Sequence, residues 1–173
     1  MPSPRRRGAP ARPLGRGPRS LRRPPAEAAV AAPGSCIFCL VVRKVAPAAR
    51  VAETERALAF LTIGPLRPGH TLVVPRDHAE TLDDVPESDW LEVARLALVV
   101  RQMHKERLGA TGTTVFLASG ASGEQSVRHL HLHLVPRHEG DGLDLTSWWG
   151  PRVRPASPEE LDAVARRLRG ERD

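Results

Sequence analysis

The stretch from Gln125 to Gly140 reads QSVRHLHLHLVPRHEG, and in it histidines at 129, 131 and 133 alternate with leucines at 130, 132 and 134. Strict alternation is the period of a β-strand, because successive side chains leave a strand on opposite faces. The leucines are therefore expected to face a core, while three of the chain's seven histidines share the other face. Neighbouring imidazoles on that face are about 6–7 Å apart at their Cα atoms, given a rise of about 3.3 Å per residue. Such a row can bind a metal, handle a phosphate, or stand idle as a polar sheet surface. His-x-His on a strand converges on zinc when a third ligand is at hand. A neutral imidazole also attacks phosphorus well if a hydrogen bond to its other nitrogen fixes the tautomer, and a neighbouring imidazolium can protonate the leaving oxygen. Gly120, Gly123 and Ser126, just before the row, offer what phosphate needs: small residues, free backbone N–H groups and a hydroxyl.

The rest of the body supplies partners for such a strand. Residues 50–61 read as two short strands around a turn at 53–56. Pro68-Gly69 then turns the chain into a β-rich strand ended by Pro75. A helix is expected after TLDDVPESDW, with Asp84 as N-cap, Glu87 closing a capping box and Pro86 in the first turn. Val93, Leu96, Ala97 and Val100 carry its 3.6-residue period and Gly109 stops it. Residues 113–119 form another strand. A last helix begins at Ser157 as N-cap, with Pro158 at N1 and Glu160 at N3, and ends at Gly170. Strands close in sequence around one long helix indicate α+β with a mainly antiparallel sheet. His104 and His138 read as surface residues.

Charge separates the two ends of the chain. Of 26 Lys+Arg and 20 Asp+Glu, residues 1–34 hold eight arginines and one acid, Glu27, leaving 18 basic and 19 acidic residues in the body. Eight of the 17 prolines lie in the same segment. It has too little apolar surface to offset the entropy of ordering and is expected to be disordered. Its arginines could hold an anion such as nucleic acid; the plainer reading, an upstream stretch outside the working protein, is preferred. Nucleic acid is not expected at the near-neutral body. No run approaches the roughly 18–20 apolar residues of a membrane span, so no membrane partner is expected. The two cysteines, Cys36 and Cys39, stand two apart in SCIFC. That spacing argues for a metal or redox pair over a disulfide framework.

GEQSVRHLHLHLVPR, with CIFC and LAFLTIGPLRPGHTLVVPRDH upstream, resembles the histidine triad (HIT) family of nucleotide hydrolases and transferases, in its zinc-containing branch. The resemblance covers residues 35–140 as a HIT domain, leaving 1–34 as a tail and 141–173 as a C-terminal extension with a helix. It implies an α+β fold built on a five-stranded antiparallel sheet with one long and one C-terminal helix, pairing as a homodimer through long helices and sheet edges. It also implies a cytoplasmic hydrolase that cleaves a dinucleoside polyphosphate or a nucleoside phosphoramidate at the α-phosphate through a nucleotidyl-histidine. By position, His131 would be the nucleophile. His133 would contact the phosphate and help the leaving group, His70 would sit beside the same phosphate, and Ser126 would donate to a phosphate oxygen. Ile37, Phe38, Val41 and Ile63 would line the nucleoside pocket, and Gly123, Gln125 and Ser126 the phosphate loop. Cys36, Cys39, His78 and His129 would hold a structural zinc that the chemistry itself does not need. Three positions depart from the family's pattern: Thr62 for an aspartate, Ala118 for an asparagine and Glu124 for a glycine. These departures keep a second function open, a nucleotide-binding HIT protein with little catalysis.

Overall fold

The structure, a computed structural model, describes residues 36–144 and 153–171. The tail at 1–34 lies outside the described residues, as do Trp148 and Trp149. In chain order the elements are α1 (Ile37–Val42), β1 (Arg50–Glu53), β2 (Ala57–Leu61), β3 (Thr71–Pro75), α2 (Glu87–Leu108), β4 (Gly112–Leu117), β5 (Leu132–Arg137) and α3 (Pro158–Leu168). The strands form one five-stranded antiparallel sheet in the order β1-β2-β3-β5-β4. Among the described residues no helix is long and apolar enough to cross a membrane.

The central strands of the sheet are covered on both faces. One face, with Ala57, Ala59, Val73, Leu132 and Leu134, packs on Val93, Leu96, Ala97 and Val100 of α2. These four are the positions whose period announced the helix. The other face, with Leu58, Phe60, Leu72 and Val74, packs on Phe38, Cys39 and Val41 of α1. The continuous burial of β2 and β3 follows from this two-sided cover.

Several expectations are met and some are corrected. Gly109 ends α2 in the left-handed conformation (φ 66°), and Ser157 with Glu160 closes a full capping box on α3. The capping box expected on α2 does not form: the helix starts at Glu87 with Pro86 as N-cap. Asp84 instead turns back on Thr81, accepting from its N–H at 2.9 Å and its hydroxyl at 2.6 Å. That local turn competes with capping for the same carboxylate. His104 is buried, not on the surface; its Nε2–H donates to Thr71 Oγ1 at 3.1 Å. The histidine row is only partly a strand, since β5 begins at Leu132. Its partner β3 ends at Pro75, which has no N–H to continue the ladder. Upstream of β5 the chain is held by Leu130 N–H donating to the Ala79 carbonyl at 2.7 Å.

Candidate functional site

Cys36 sits at the N-cap of α1 and Cys39 one turn inside it, so a helical step of three brings both sulfurs to one side. Beyond that spacing, nothing in the residues around it announces this short helix. His78 follows β3 and His129 precedes β5, and the four donor atoms lie within 4.8 Å of one another. His129 Nδ1 is 3.5 Å from both Cys36 Sγ and Cys39 Sγ, and His78 Nδ1 is 3.3 Å from Cys39 Sγ. A tetrahedral zinc with bonds of about 2.3 Å to sulfur and about 2.0 Å to nitrogen sets such S···N edges at about 3.5 Å. His129 Nε2–H donates to the Pro75 carbonyl at 2.9 Å, leaving the Nδ1 lone pair towards the sulfurs. Glu80 lies 4.0 Å from His78 Nε2, an acidic neighbour of the kind that orients metal-bound histidines. Burial, together with the adjacent Cys36, pushes the Cys39 thiol well above its ordinary value. Bound cation would offset that cost, because a coordinated thiol is deprotonated. The residues fit a closed Cys₂His₂ centre.

Hydrogen bonds fix the tautomers of the other two triad histidines. His131 Nδ1–H donates to the carbonyl of His129 at 2.7 Å, which leaves Nε2 as a free lone pair. Leu66 N–H donates to His70 Nδ1 at 3.2 Å, so His70 carries its proton on Nε2 and donates it to His133 Nδ1 at 3.0 Å. His133 must then carry its own proton on Nε2. Beside one imidazole with a bare Nε2 thus stands a second with an Nε2–H, their ring centroids 4.9 Å apart. Burial lowers the pKa of His131 and His70, and burial with the neighbouring His131 and His70 lowers His133 to about 3. A third proton on the His70–His133 pair would have to sit on His70 Nδ1, where Leu66 N–H already points. The imidazolium expected beside the nucleophile is therefore replaced by a neutral hydrogen-bond donor.

The loop before the row is built tightly. A Cβ on Gly123 would collide with the Ser119 carbonyl, so only glycine fits there. Glu124 has φ 61°, in the left-handed region where glycine is at ease. Arg128, four residues on, faces Glu80 at 3.6 Å. The amide of Gln125 binds Gly120 N–H, the Glu80 carbonyl and the Val127 carbonyl, which makes it a brace of the loop. Ser126 is exposed at the end of the loop. Of the expected nucleoside-pocket residues, Phe38 and Val41 are buried in the core beneath the triad, whereas Ile37 and Ile63 are exposed. Phe38 stands edge-on to His131 with centroids 5.3 Å apart. Thr62 Oγ1 accepts from Gly64 N–H at 3.3 Å within its own loop. Sequence reasoning missed Phe116, which stacks on His133 with centroids 4.2 Å apart and planes 12° from parallel. The available signal was composition: the chain has three phenylalanines and no tyrosine, and Phe38 and Phe116 both pack on triad rings.

Comparison with known proteins agrees with this geometry. A family model described as the HIT domain matches residues 32–140. An uncharacterized HIT-like protein of Methanocaldococcus jannaschii is 39% identical over 107 residues, covering 62% of this chain and 82% of the relative. The adenosine 5'-monophosphoramidase of Schizosaccharomyces pombe is 33% identical over 135 residues, covering 78% of this chain and 96% of the relative. Among solved structures, a zinc-bound histidine triad family protein of Mycobacterium smegmatis superposes with a TM-score of 0.62 at 34% identity, covering 80% of this chain and 99% of that one.

Proposed function

Since the chain belongs to the HIT domain family, we propose that it is a nucleotide phosphohydrolase that works through a nucleotide carried on His131. The observation that carries this reading is the pair of fixed tautomers, a bare His131 Nε2 beside a His133 Nε2–H. His131 Nε2 attacks the α-phosphorus, a P–N bond forms, and the bond to the leaving group breaks. The imidazole becomes positively charged at that moment, and the His129 carbonyl on its Nδ1–H stabilises the charge. His133 donates a hydrogen bond to the departing group or to the phosphoryl oxygen beside it, and the leaving group takes its proton from solvent. Water then cleaves the P–N bond, releasing a nucleoside monophosphate and restoring the free imidazole. Cys36, Cys39, His78 and His129 would hold a zinc ion, which would supply a structural tie between α1, the end of β3 and the triad rather than chemistry.

Nucleoside phosphoramidates and dinucleoside polyphosphates are the substrate classes, with Gly123 and Ser126 at the phosphate and Ile37, Phe38, Val41 and Ile63 towards the nucleoside. The phosphoramidase activity named for the Schizosaccharomyces pombe relative supports the first class. The protein works as a cytoplasmic homodimer. Strand β4 supports the dimer, because it is a sheet edge carrying exposed Val115. A second reading, nucleotide binding with little turnover, is favoured by one observation: the Thr62 hydroxyl is held within its own loop. A panel of nucleotides in single-turnover assays decides between them. Release of a nucleoside monophosphate supports the hydrolase, and tight binding without release supports the second reading.

A further inference from the structure

Phe116 lies on β4 directly opposite His133 in the strand register and covers one flat face of its ring. The other constraint on that ring is the hydrogen bond from His70 to Nδ1. One hydrogen bond in the ring plane leaves the imidazole free to swing about it. A nearly parallel ring against the flat face removes the swing, because tilting would break the stack. The two constraints are at right angles, and together they fix where Nε2–H points. Phe116 is also partly exposed, so its effect does not come from membership of the core.

We propose that Phe116 is a positioning residue for the reaction, holding His133 so that its Nε2–H faces the group that leaves His131's target phosphorus. The proposal rests on the role given to His133 above. Titratable groups facing His133 are His70, from the loop before β3, and His131, from the chain before β5. An aliphatic side chain at 116 would fill space without offering a face. The ring would then swing, the bond to His70 would loosen, and both tautomers of His133 would appear.

The test uses Phe116→Leu and Phe116→Tyr in the full-length, zinc-loaded chain. Nitrogen-15 NMR of the histidine rings should show one tautomer of His133 in the wild type and in Phe116→Tyr, and mixed tautomers in Phe116→Leu. The single-turnover rate of His131 labelling by adenosine 5'-phosphorimidazolide should fall about tenfold in Phe116→Leu and recover in Phe116→Tyr. An unchanged His133 spectrum in Phe116→Leu, or a rate loss that Phe116→Tyr does not restore, overturns the proposal. The spectrum is recorded without substrate. A chain that never forms nucleotidyl-His131 would therefore overturn the hydrolase while the tautomers still decide whether Phe116 positions His133.

Discussion

Removing the metal should slow the nucleophile without abolishing it, because His129 serves both. Its Nδ1 belongs to the Cys₂His₂ cluster and its carbonyl holds the Nδ1–H of His131 at 2.7 Å. Phe38, on the helix that carries Cys39, is a second tie, edge-on to His131. The perturbation is Cys39→Ser, which takes away one sulfur and keeps His129. A neutral hydrogen bond of this kind is worth about 0.5–1.5 kcal/mol net, so loosening it should cost His131 roughly three- to tenfold in rate. The same change removes a bound ligand. At a zinc concentration about 1,000 times its Kd that is about 4 kcal/mol of stability, or a fall in Tm on the order of 10 °C. Single-turnover labelling of His131 by adenosine 5'-phosphorimidazolide and calorimetry measure the two effects. An unchanged rate with a lowered Tm would refute the tie between His129 and His131. A loss of a thousandfold or more in a folded variant would place the metal in the chemistry.

Other outcomes follow from the same geometry. Glu124→Gly relieves a left-handed glutamate, and after the entropy cost of glycine it should stabilise the chain by about 0.5–1 kcal/mol in urea melts. It should also raise kcat/KM most for the most highly charged nucleotide, with the gain shrinking as salt is added; an unchanged substrate ranking at low salt would show that the carboxylate faces away from the substrate. His70, His104, His131 and His133 have folded pKa values below the ordinary 6.5, so the unfolded chain binds more protons in acid. Stability should be flat above pH 6.5 and fall as the pH drops towards 3, by about one proton per shifted histidine; a flat profile across that window in calorimetry would contradict the burial of these rings. His131→Asn keeps a donor at the δ position for the His129 carbonyl and should stay folded, with labelling at that position reduced by at least about a thousandfold.

The sheet was legible because its strands announce themselves locally. Residues 50–61 and 71–75 carry β-rich runs closed by turn residues, and α2 and α3 carry clear periods and stops. What the sequence hid was competition between local partners. Asp84 has the right spacing for a cap, yet Thr81, equally three residues away on the other side, takes its carboxylate. The alternation at 129–134 predicts a strand, but a strand needs a neighbour, and the proline at the end of β3 denies it one. His104 reads as a surface residue because Arg101, Lys105, Glu106 and Arg107 flank it, yet it falls four residues after Val100 on the buried stripe of α2 and meets Thr71 there. At the site, the metal ligands could be named by resemblance and the structure brings those four residues together. The role of Phe116 depends on which residue lies across from His133 in the ladder, and strand register is written in no single stretch of sequence.

The account stands or falls on a covalent bond at His131 Nε2. The protein should be mixed with adenosine 5'-phosphorimidazolide, quenched within one turnover, digested at neutral or alkaline pH and mapped by mass spectrometry. The account predicts one adenylyl group, carried on the peptide that contains His131 and absent from His131→Asn. An adduct on His133 or His70 would reassign the nucleophile. Rapid release of adenosine monophosphate with no adduct at any time point would contradict covalent catalysis altogether.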